Sequence, residues 1–67
     1  MNRELLRSIM ALHGETNRDL AELLHISPQS ISAKINENGS EFKQGEIAKI
    51  QKHYSLTAEQ IADIFFT

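Results

Sequence analysis

The side chains with the most chemical scope lie between Asn17 and Lys43. Gln29, Ser30, Ser32 and Lys34 follow a proline, Pro28, with Ala33 and Asn36 interleaved. Such short polar groups suit the edges of bases. Glutamine can bond adenine twice, serine donates or accepts, and alanine can meet a thymine methyl group. No carboxylate interrupts the run from Pro28 to Asn36, as proximity to phosphates demands.

Other chemistries find less support. The three histidines, His13, His25 and His53, are never three or four residues apart, and the chain has no cysteine. They read as surface or turn residues, so no metal or cofactor is expected. Serines are available, but no spacing pairs one with a histidine and a carboxylate. An enzyme is not expected from so small a fold.

With 67 residues, the chain has room for one domain spanning residues 1–67. Such a domain buries only about 60% of the surface its unfolded chain exposes. Stability must then come from packed aliphatic side chains, helped by dimerisation. The segment Met1-Asn2-Arg3-Glu4 is charged, and no apolar run suits a signal peptide or a membrane span. A cytoplasmic protein without a membrane partner is expected. The net charge of −2 fits DNA binding only if the basic residues share a face.

Apolar spacing and stop signals predict five helices and no strand. The first covers about Asn2 to Leu12 and ends at His13-Gly14. The second follows a cap at Thr16 or Asn17, ends near His25 and carries Leu20, Ala21, Leu23 and Leu24. Ser27 and Pro28 open the third, a cap followed by the residue that best suits a first helical position. Ile31 and Ile35 mark its buried side, and Asn38-Gly39-Ser40 stops it. The fourth spans about Gln44 to His53, after Phe42 plugs the preceding loop. The fifth runs from Ala58 to about Phe66, with Thr57 and Gln60 as a capping box.

The second and third helices are joined by only His25-Ile26-Ser27, which forces a steep crossing. Ala21, being small, lets the two backbones approach. The third helix then presents Pro28, Gln29, Ser30, Ser32, Ala33, Lys34 and Asn36 outward. Its bland reading is a solvated face. Its functional reading is a helix for the major groove, with Gln29 the leading base contact and Ser30 and Ser32 beside it. Asn17 and Arg18, at the start of the second helix, would hold a phosphate, as would Lys34, Asn36 and Lys43. Arg3, Arg7, Lys49 and Lys52 read as ordinary solvent-exposed charges. Ile61, Ile64, Phe65 and Phe66 can all serve the core; equally, Phe65 and Phe66 lie about 100° apart on a helix, which allows one of them to point away as a candidate dimer contact.

The stretch from Asn17 to Ser32 resembles the helix-turn-helix of Cro/CI-type phage repressors, the XRE family. Leu20-Ala21, the Ile26-Ser27 turn and the start Gln29-Ser30-Ile31-Ser32 carry the likeness. Lys34-Ile35-Asn36-Glu37-Asn38-Gly39, Phe42, Glu46-Ile47, Lys49-Ile50 and the ending from Leu56 to Phe66 are similar to small regulators from phages of Gram-positive bacteria. The resemblance implies an all-α, compact five-helix lambda-repressor-like domain. It also implies a repressor that binds a double-stranded DNA operator as a homodimer. Asn17 stands where the family carries a phosphate-contacting glutamine, and Gln29 at a base-reading position. Pro28 and Ala33 stand at two further reading positions, where only shape or methyl contact is open to them. His25 stands where the family prefers glycine. A second reading is an antirepressor that uses the same scaffold to bind a partner repressor. It draws on the net charge and on Glu15, Asp19 and Glu22.

Overall fold

A computed structural model describes residues 1–66, which form α1 (Arg3–Leu12), α2 (Asn17–Leu24), α3 (Pro28–Ile35), α4 (Gln44–Tyr54) and α5 (Ala58–Phe65). No strand occurs among the described residues. The domain is all-α, as its apolar periodicity predicts.

Side chains close most of the helix starts. Asn2 Oδ1 accepts from the Leu5 amide at 3.1 Å, and Ser27 Oγ accepts from the Ser30 amide at 3.1 Å. Thr57 and Gln60 cap one another, each side-chain oxygen taking the other's amide at 3.1 and 2.9 Å. At α2 and α4 the reaching group is the carboxylate of the first turn. Asp19 accepts from the Thr16 amide and Glu46 from the Lys43 amide, at 2.8 and 2.9 Å. Each negative charge also complements the helix dipole.

The helix ends share one device. After α1, α2, α3 and α4 the chain turns through a left-handed residue, respectively Gly14, His25, Glu37 and Ser55. In each case the following amide returns to the carbonyl five residues back, as in Ile26 N to Ala21 O at 3.0 Å and Leu56 N to Gln51 O at 2.9 Å. This is the Schellman arrangement, which satisfies orphan carbonyls and favours glycine at the left-handed place. Only Gly14 fits that preference. Glu37 ends α3 before the Asn38-Gly39-Ser40 stop read from sequence, so that helix is shorter than expected.

His25, at φ 57°, pays the penalty of a Cβ in this region. His25→Gly is therefore expected to stabilise the domain by about 0.5–1 kcal/mol, net of the extra chain entropy of glycine. That corresponds to a rise of roughly 2–8 °C in the thermal midpoint, which a circular dichroism melt would read.

Every helix contributes to one core. Leu6 of α1, Leu20 of α2, Ile31 and Ile35 of α3, Ile50 of α4 and Ile64 of α5 are all fully buried. The chain start is pinned to its far end, since the Asn2 amide donates to the Ile64 carbonyl. Phe42 packs edge-on against Phe65, with centroids 5.6 Å apart, and so anchors the loop between α3 and α4 as a plug.

Candidate nucleic-acid interface

The crossing of α2 and α3 is built from side chains that leave no freedom. Leu20, Ala21 and Leu24 of α2 are buried together with Ile31 and Ile35 of α3, and Ile26 in the turn is half-buried against them. Ala21 is 2% exposed. A longer side chain there would have to push the helices apart. The Schellman turn at His25 and the Ser27 cap fix the direction in which α3 leaves α2.

A step of about 100° per residue sorts the side chains of α3 into two arcs. Ser32, Gln29, Ala33 and Asn36 fall within about 100° of one another, opposite Ile31 and Ile35. Gln29 and Asn36 are exposed, and Ser32 and Ala33 are half-buried. The Gln29 side chain makes no hydrogen bond within the described residues, so its amide is available to a ligand. Pro28 is exposed at the first helical position. Ser30 lies at the margin of this arc, its hydroxyl 3.0 Å from Ser27 Oγ within the cap.

Lys34 requires a correction. It was expected to reach outward to a phosphate, but it is 7% exposed and turned inward. Its Nζ donates to the Glu41 carbonyl at 2.9 Å, pairs with Glu46 Oε1 at 3.2 Å, and sits 5.9 Å from the Phe42 ring centroid. Burial pushes the Glu46 carboxyl up, but bonds from the Lys43 amide and the Lys34 ammonium outweigh it and leave a net lowering. Lys34 thus ties α3 to the loop and to α4, with its partners already in place.

Arg3, read from sequence as an ordinary surface charge, stands at the edge of the outer arc instead. Its guanidinium donates to Asn36 Oδ1 at 3.4 Å, and Asn36 Nδ2 lies 3.4 Å from Ser32 Oγ. Ser32, Asn36 and Arg3 therefore form a polar row along α3. Only the fold brings Arg3 there, since 33 positions separate it from Asn36. Arg18 and Lys43 are exposed, and Asn17 is half-buried in the first turn of α2.

A second cluster joins the loop after α1 to the end of α4. Glu15 accepts from Tyr54 Oη at 2.9 Å and meets His53 Nε2 at 2.9 and 3.0 Å. His13 leans on the Tyr54 ring, with centroids 5.0 Å apart. The bonds to His53 and Tyr54 hold the Glu15 carboxyl below its usual value of 4.5 against some burial. Burial, and then the Glu15 carboxylate, push the Tyr54 phenol up, so it remains a donor. This is a clamp between elements.

A carboxyl depressed in the folded state stabilises above its unfolded pKa, and the gain is lost as pH falls through the folded value. The domain is thus expected to weaken below about pH 4.5, and Glu15→Gln to remove that part of the acid limb. Denaturant midpoints measured across roughly pH 3–7 for both proteins check this.

Phe65 and Phe66 separate as their spacing allows. Phe65 is half-buried against Phe42, whereas Phe66 is 70% exposed. Phe66 rims a depression of about 240 Å³ that is also lined by Met1, Phe42, Ile47 and Phe65. Among the described residues no three His, Asp or Glu side chains gather where they could hold a metal ion, and no helix is long and apolar enough to cross a membrane. Comparison with family models, with curated proteins and with solved structures finds no match to this chain.

Proposed function

We propose that this protein is a sequence-specific DNA-binding transcriptional regulator of the Cro/CI repressor type, which sets α3 into the major groove of an operator. One observation carries the reading. The arc of Gln29, Ser32, Ala33 and Asn36 faces outward, Gln29 and Asn36 exposed and Ser32 and Ala33 half-buried, while Ile31, Lys34 and Ile35 lock the reverse side of the same helix. A helix held so firmly from behind, with amide and hydroxyl groups in front, matches the donor and acceptor pattern of base edges. Gln29 reads a base, Ser32 and Ala33 lie beside it, and Pro28 and Ser30 border the contact at the start of α3. Asn17 and Arg18 place the α2 amides against one phosphate. Asn36, Arg3 and Lys43 serve the backbone on the far side.

Repression follows from occupancy, because a bound operator excludes polymerase. Two copies on a pseudo-palindrome would place their α3 helices about 34–36 Å apart, with Phe66 contributing to the contact between copies.

Selection of bound duplexes from a random pool, followed by anisotropy titration at low and moderate salt, tests the reading. The expected result is an enriched site and an affinity that falls steeply with salt. Arg3→Ala is expected to weaken all sequences alike and to reduce the salt slope by about one. Silence toward DNA until a second protein is present would favour the antirepressor reading, with which the net charge of −2 agrees.

A further inference from the structure

Between α2 and α4 lies a shallow groove of about 410 Å³, lined by Leu23, Lys49, Lys52 and His53. It shares no residue with the outer arc of α3. Leu23 is half-buried, with part of its surface left bare beside the core. Lys49, Lys52 and His53 are spaced i, i+3 and i+4, so they stand on one face of α4. The two lysines are exposed, and neither ammonium has a partner among the described residues.

The chain is acidic overall, yet several carboxylates around α2 and α4 are engaged in bonds of their own, while Glu22, next to Leu23 in α2, is exposed. Glu15 holds His53 and Tyr54, Asp19 holds the Thr16 amide, and Glu46 holds Lys34 and the Lys43 amide. Lys52, in the last turn of α4, complements the helix dipole. That accounts for its place along α4, but not for the convergence of Lys49 and Lys52 on an apolar side chain of α2.

We propose that this groove docks an acidic, amphipathic segment of a partner protein, an apolar side chain resting on Leu23 between carboxylates that reach Lys49 and Lys52. A duplex backbone fits less well, because it offers nothing apolar to cover Leu23. The site stands independently of the DNA-binding reading and leaves α3 free.

The test uses the full chain labelled with ¹⁵N and a short synthetic helical peptide, with leucines one turn apart and glutamates on either side. The expected result is saturable shifts confined to the surroundings of Leu23, Lys49, Lys52 and His53. Replacing the peptide's glutamates by glutamine, or the protein's lysines in K49E/K52E, is expected to weaken binding by about tenfold or more. Absence of saturable binding, or binding indifferent to both charge changes, overturns the proposal. So does a loss of DNA affinity in K49E/K52E with these resonances moving on a duplex, which would make the groove a phosphate contact. Concentration-dependent shifts of the same residues without peptide would assign it to a second copy and equally overturn it.

Discussion

Lys34→Met is expected to destabilise the domain by about 2–4 kcal/mol, rather than to weaken DNA binding directly. Methionine keeps the length and apolar stem of the side chain, so the loss is that of the ammonium. Its removal leaves Glu46, whose side chain is 16% exposed, without its cationic partner, and the Glu41 carbonyl without its donor. Removing one member of a buried pair generally costs about 3–5 kcal/mol, and partial access of water to Glu46 places this case somewhat lower. A domain of this size has a total stability of about 3–10 kcal/mol, so the variant would stand close to unfolding. A thermal melt should fall by roughly 10–25 °C, and adding Glu46→Gln should restore part of the loss. An unchanged melt with uniformly weakened DNA binding would show instead that the ammonium serves phosphates.

Gln29→Ala is expected to leave the melt within about 0.5 kcal/mol, since the side chain is exposed and touches no partner. Its effect should fall on recognition. Losing a two-bond contact to a base costs about 1–3 kcal/mol, or roughly 5- to 150-fold in affinity. The base preference at one position of each half-site should relax, while affinity for unrelated duplexes stays the same. This contrasts with Arg3→Ala, which is expected to act on every sequence equally. Anisotropy titrations on the selected site and on single-base variants of it separate the two behaviours.

The contrast between Gln29 and Lys34 also marks what the residues alone disclose. Helix starts at Ser27 and Thr57 are local matters, in which a side chain caps an amide three positions on, and they are readable without a structure. Ala21 was readable for a similar reason, because a three-residue connection demands a small residue at the crossing. The charge of Lys34 points to an outward phosphate contact, whereas its position points inward. It lies three residues after Ile31 and next to Ile35, on the buried side of the helix, and counting turns would have put it there. The early end of α3 at Ile35 carries no local signal, because the turn beyond it passes through a left-handed glutamate, Glu37, rather than through Gly39 two residues on. Arg3 beside Asn36 and Glu15 beneath His53 join residues 33 and 38 positions apart. No local pattern encodes such pairs, which exist only once the core has oriented the helices.

The clamp at Glu15 and the joint at Lys34 hold the molecule from two sides, and both act on α4. The buried Ile31, Lys34 and Ile35 in turn hold α3 with its polar arc outward. The outward face is therefore a consequence of the interior, and substitutions there should change what is bound more than whether the domain folds.

Mapping by ¹⁵N chemical shifts on titration with the duplex recovered from selection, at moderate salt, reads the location of the bound DNA most directly. The largest changes are expected at Gln29, Ser32, Ala33 and Asn36, with smaller ones at Arg3, Arg18 and Lys43. Recovery of no duplex at all, or shifts that leave α3 unmoved, would contradict the placement of DNA on this helix.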